Sequence, residues 1–143
     1  MAYTLELFCE DARAALGEDP GPQGRQKLTE KLEFLLGDDS FIAAHLGPDK
    51  PSRAEIIYKD PDFGFQVMAH TNRGSSNNSP HCHGPSWVVY GIAMNHVEMT
   101  KWSRRDDGSR DGHAELEISD RYVLEEGQAR VYNEGVIHSL NRQ

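Results

Sequence analysis

The chain has 143 residues, 37% of them apolar, and its 15 basic and 23 acidic side chains give a formal charge of −8. That is enough for one domain with a sizeable core, and scattered acids on such a surface argue against a nucleic-acid or anionic-membrane partner. No apolar run approaches the roughly 20 residues that cross a bilayer, and MAYTLELFCED lacks the basic-then-apolar pattern of a signal peptide. A soluble, cytoplasmic protein is the expectation. Cys9 and Cys82 are too few and too far apart for a disulfide framework or a zinc knuckle, so reduced thiols are expected.

Leu5, Phe8, Cys9, Ala12 and Leu16 recur at three- and four-residue steps, the apolar stripe of an amphipathic helix, until GEDPGPQG breaks it. A second helix is predicted in RQKLTEKLEFLLG. There Leu28, Leu32, Leu35 and Leu36 share a face and Gly37 stands at the C-terminal cap. DDSFIAAHL reads as a short third helix capped by Asp39 or Ser40. Leucine stripes of this kind are core, and the helices are expected to cover a sheet.

From Ser52 the period changes to about two. AEIIYKD, FGFQVMAHT, SWVVYGIAM, HVEMTKWSR, AELEISDRYVL and QARVYN are short, rich in β-branched and aromatic residues, and separated by Gly, Pro, Asp and Asn. Six or more strands without intervening helices predict an antiparallel sandwich or barrel. TNRGSSNNSP and RRDDGSRDG read as polar loops. The expected layout is a helical segment over 1–50 packed on a β-barrel over 51–143, as a single structural domain.

The sequence SPHCHGPSWVVYG places His81 and His83 two residues apart in an extended segment, so both can face one point while Cys82 faces away. Two imidazoles could then reach one divalent transition metal. In EEGQARVYNEGVIHSLN, Gly127 and Gly135 bracket a short strand, and His138 follows as a third ligand. That set would leave coordination positions for water, oxygen or substrate. His45, His70, His96 and His113 read as ordinary surface or capping residues.

These residues carry a family resemblance. From about Ala54 to Asn141 the chain resembles the cupins, double-stranded β-helix (jelly-roll) proteins with a His-x-His first motif and a Gly-x5-Pro-x-Gly-x2-His second motif. Here Gly127 is followed by five residues, Asn133 in the proline place, Glu134, Gly135, two residues and His138. In the first motif the glycine is Gly74, one position too far, and the glutamate place holds Trp87 or Val88. Loss of that carboxylate, together with PHCHGPSW, resembles the cysteine-dioxygenase-like branch, whose iron is held by three histidines.

The resemblance implies a mainly β, cupin jelly-roll barrel preceded by two or three short helices. It further implies an oxidoreductase with Fe(II) on His81, His83 and His138, acting on a small thiol- or carboxylate-bearing substrate. An arginine for the substrate carboxylate is expected, with Arg130, Arg53 and Lys59 as basic candidates. Five residues follow His138, so no Ser-His-Tyr relay is in reach, and a partner subunit or a longer chain is expected to close the barrel. A homodimer is one such arrangement.

Trp87, Val88 and Arg130 are candidate pocket residues. Tyr90 and Tyr132 are candidates for proton transfer, with packing as the competing reading. Two other classes stay open. One is a redox-inert Zn, Ni or Mn cupin acting as a Lewis acid, for which Glu134 and Tyr132 are the nearest bases in sequence. The other is a non-catalytic small-molecule-binding cupin.

Overall fold

The computed structural model describes residues 3–47, 53–71, 76–77, 80–82, 86–107, 109, 112 and 114–142. Helix α1 (Leu5–Glu18) begins where the Leu7 amide donates to the Thr4 hydroxyl at 3.1 Å, satisfying a donor that a first turn otherwise leaves without a partner. Phe8, Cys9, Ala12, Ala15 and Leu16 are buried along its expected stripe. Helix α2 (Pro22–Leu36) starts three residues before the predicted segment, inside what reads as a breaker. Pro22 sits in the first turn, where a missing N–H costs nothing.

Helix α3 (Asp39–Leu46) is capped by Asp38 rather than by Asp39 or Ser40. The Phe41 amide donates to the Asp38 carboxylate at 2.9 Å, and this register turns Phe41 into the core. Among the described residues no helix is long and apolar enough to cross a membrane.

The strands follow as β1 (Arg53–Lys59), β2 (Gln66–Thr71), β3 (Ser76–Asn77), β4 (Val88–Gly91), β5 (His96–Arg104), β6 (Leu116–Glu125), β7 (Ala129–Tyr132) and β8 (Ile137–Arg142). Pairing is antiparallel throughout, in a β1-β2 hairpin, a β4-β7 pair and a four-stranded sheet of order β3-β8-β5-β6. The chain is therefore mainly β with three N-terminal helices. Strand β3 falls in TNRGSSNNSP, which reads as a loop; its two residues are recruited by pairing with Arg142 and Asn141, not by any apolar pattern of their own.

Strand β4 divides two apolar clusters, and its alternation explains how. Trp87 and Val89 pack against the helical cluster of Phe8, Ala12, Leu16, Leu28, Leu35 and Phe41. Val88 and Tyr90 pack against the cluster of Ile92, Val97, Met99, Leu124 and Tyr132. Helix α2 lies over β4 and β7, and the Ala129 amide donates to the Glu33 carboxylate at 2.9 Å.

Asp60 ties α1 to the hairpin. Its buried carboxylate accepts from Arg13 Nη1 (2.6 Å), the Tyr58 hydroxyl (2.8 Å) and the amides of Asp62 (3.1 Å) and Phe63 (2.6 Å). Among the described residues, strand β6 has β5 as its one neighbour in the sheet. It carries exposed Glu117, Asp120, Arg121 and Glu125, and Ser119 is an extra residue between the Lys101–Asp120 and Trp102–Ile118 pairs. Charges and a bulge both discourage edge-to-edge association.

Candidate metal centre

Two tight turns deliver β7 and β8. The Gln128 amide donates to the Glu125 carbonyl at 2.9 Å, and the Val136 amide to the Asn133 carbonyl at 3.2 Å. Gly127 (φ 84°) and Gly135 (φ 76°) are the third residues of these turns, where a side chain would be strained. The spacing from Gly127 to His138 is thus two turns around a four-residue strand.

His138 is 5% exposed and sits opposite Lys101 in the β5–β8 ladder. His81 reaches it through an isolated antiparallel bridge: the His81 amide donates to the His138 carbonyl at 3.0 Å, and the His138 amide to the His81 carbonyl at 2.9 Å. The two ring centres stand 4.6 Å apart at 57°. Two imidazoles sharing a divalent ion at about 2.0–2.1 Å per nitrogen have ring centres roughly 4.5–5 Å apart, so the spacing fits a shared ion. His138 Nδ1 lies 3.3 Å from the Val136 carbonyl. A carbonyl only accepts, so a hydrogen bond here is donated by Nδ1–H, which leaves Nε2 as the nitrogen open to a metal.

His81 is exposed, and Cys82 beside it is an exposed free thiol. His83, Gly74 and His113 lie outside the described residues, as does the side chain of Arg53. Among the described residues no three His, Cys, Asp or Glu side chains gather to hold a metal ion.

Tyr132 is 1% exposed and stacks on the His138 ring at 4.4 Å and 23°. Its hydroxyl shares a hydrogen bond with that of Tyr122, over whose ring the Arg130 guanidinium lies at 4.2 Å. Burial, then the Tyr122 hydroxyl, pushes the Tyr132 pKa far above the ordinary tyrosine value. Tyr132 thus covers one face of the His138 ring, and its hydroxyl is held in the protonated form. Tyr90 pairs with Arg130 across β4–β7 and is partly buried. Lys59 is exposed.

Arg25 is the residue that sequence reasoning missed. It is 8% exposed, with Nη1 donating to Asn133 Oδ1 at 3.1 Å and both Nη atoms gripping the Glu134 carboxylate. Its Cζ lies 5.2 Å from the centre of the Trp87 ring. The hydrogen bond from Arg25 holds the Glu134 carboxyl below the usual carboxylate range, which makes Glu134 a poor base. The one sequence signal was Arg25 in the first turn of the helix, on the turn that leads to Leu28; nothing local marks it as buried.

A cavity of about 1020 Å³ lies between the helices and strands β2 and β4. Leu28, Leu32, Phe41, Val67, Trp87 and Val88 help to line it, with Arg25 in its wall, whereas His81, His138 and Arg130 do not. This cavity and the His81–His138 pair are thus separate features. No protein-family model matches the chain, and no curated protein matches it.

Proposed function

We propose that this chain is a cupin-type metal protein of the cysteine-dioxygenase-like kind, with His81, His83 and His138 holding a divalent metal, Fe(II) foremost. The jelly-roll barrel is the finer reading of its antiparallel sheets. The observation that carries the proposal is the His81–His138 bridge, in which two backbone hydrogen bonds bring the rings to 4.6 Å.

Fe(II) bound by three neutral imidazoles would supply a positive centre that binds oxygen beside an anionic substrate. The chain's own residues provide orientation and exclusion of water. The Val136 carbonyl selects the His138 tautomer, Tyr132 covers one face of its ring, and the exposed His81 lies on the side open to solvent.

The test is metal content by elemental analysis of untagged protein purified without chelators, beside His138→Ala and His83→Ala. The parent is expected to hold about one ion per chain, with tenfold less or lower in each variant. Iron with oxygen uptake on a small thiol carboxylate supports the dioxygenase; zinc, nickel or manganese without oxygen uptake supports Lewis-acid chemistry. Equal, low metal in all three after anaerobic reconstitution would sink the metal centre. A non-catalytic binding module is the second reading, favoured by a cavity that His81 and His138 do not line. A small molecule that raises the melting temperature without turnover would support it.

A further inference from the structure

We infer that Arg25 of α2 is a positioning residue for His138, clamping the turn from which β8 carries that histidine. The inference rests on the reading of His138 as a metal ligand. The β4–β7 ladder ends at the Val88–Tyr132 pair, and one backbone hydrogen bond of 3.2 Å, from the Val136 amide to the Asn133 carbonyl, closes the turn that follows. Val136 also supplies the carbonyl that orients the His138 ring. Any swing of this turn therefore changes where the imidazole points.

Arg25 grips both leading residues of the turn, Asn133 and Glu134, from 108 and 109 positions away. Its guanidinium is braced over Trp87, next to the β4 residue that pairs with Tyr132. The cost of this burial is visible, since Nε is buried without a hydrogen-bond partner among the described residues. Burying a guanidinium against an exposed carboxylate is seldom the most stabilising choice, and a well-packed apolar residue would serve packing better. What the guanidinium adds is a forked, directional hold on two side chains of one turn.

The test replaces the clamp and then restores the rigidity by another route. Arg25→Met removes the fork and keeps much of the stem. Asn133→Pro stiffens the turn, because proline fixes φ near −65° and favours an extended residue before it, as Tyr132 is in β7. Asn133 is not in the left-handed region, where proline could not stand. The readouts are cobalt(II) affinity, the visible spectrum of the cobalt form, His138 ring-proton resonances in metal-free protein, and melting temperature.

Arg25→Met is expected to weaken cobalt binding about tenfold or more and to shift the His138 resonances, as loss of groups that orient a ligand does. Adding Asn133→Pro should return both toward the parent values. If Arg25→Met lowers the melting temperature but leaves affinity and resonances unchanged, Arg25 only packs and the inference fails. It fails equally if the double variant regains stability but not affinity or resonances. Should Arg25→Met not fold, Arg25→Lys carries the test, because an ammonium cannot fork between Asn133 and Glu134; unchanged readouts there would overturn the inference. A parent that takes up no cobalt overturns the metal reading alone, and the positioning role is then decided by the metal-free resonances.

Discussion

Asp60 shows how much one side chain can hold. Burial by itself would raise its pKa, but hydrogen bonds from Phe63, Tyr58, Arg13 and Asp62 outweigh it and bring the value down to about 2. A carboxyl whose folded pKa lies below its unfolded value of about 4 contributes stability that is present above that pH and lost as the pH falls toward 2. Acid unfolding followed by circular dichroism should therefore steepen between about pH 4 and 2 in the parent and flatten there in Asp60→Asn. An identical acid limb in both would remove Asp60 from the account.

Tyr132 works in the opposite direction, with burial and the Tyr122 hydroxyl keeping its own hydroxyl protonated. Its contribution is present below the unfolded value of about 10 and is lost as the pH rises above it. Tyr132→Phe should cost about 1 kcal/mol at neutral pH, the net worth of one hydrogen bond, and keep the stack on His138. Denaturant melts check the first point and His138 resonances the second.

Among the elements, α2 packs against α1, α3, β4 and β7. Leu35 is fully buried, and Leu35→Ala should cost about 2–5 kcal/mol in chemical unfolding. Phe34, its neighbour in sequence, is 60% exposed and meets Tyr3 edge-on, so Phe34→Ala should cost about 1 kcal/mol or less. The turn into β8 gives a comparable contrast. Gly135→Ala forces a Cβ into left-handed backbone at a cost of about 1–2 kcal/mol, and it should lower metal content as well as stability.

Much at this scale was legible in the sequence. The stripes of α1 and α2 and the alternation at the start of β5, where Val97 and Met99 are buried, are local records of which face is buried. Other features were not legible, because their causes lie elsewhere in the chain. Strand β3 exists through β8, and the choice of Asp38 as cap over two adjacent candidates depends on Phe41 reaching the core.

At the scale of the whole molecule, strand β5 is bonded on both sides, to β6 and β8, and carries Val97 and Met99 at 1% exposure. The β1-β2 hairpin is a separate sheet, joined to the helices by α3 and by the Arg13–Asp60 link. Amide exchange should therefore be slowest in β5 and markedly faster in β1-β2, since local opening follows the density of packed contacts. Equal protection in the two would show that the hairpin is locked to the rest.

By itself the sequence determined the three helices, six of the eight strands, the glycines that bracket β7 and the motifs that make His81, His83 and His138 candidates, because each depends on residues a few positions apart. Only the tertiary structure decided that His81 and His138 face one another, that Tyr132 backs the ring, that Trp87 turns toward the helices, and that Arg25 holds the turn of His138. These contacts join residues up to 109 positions apart. A short window of sequence records the propensity of a residue, whereas its partner is chosen by how the helices and sheets pack.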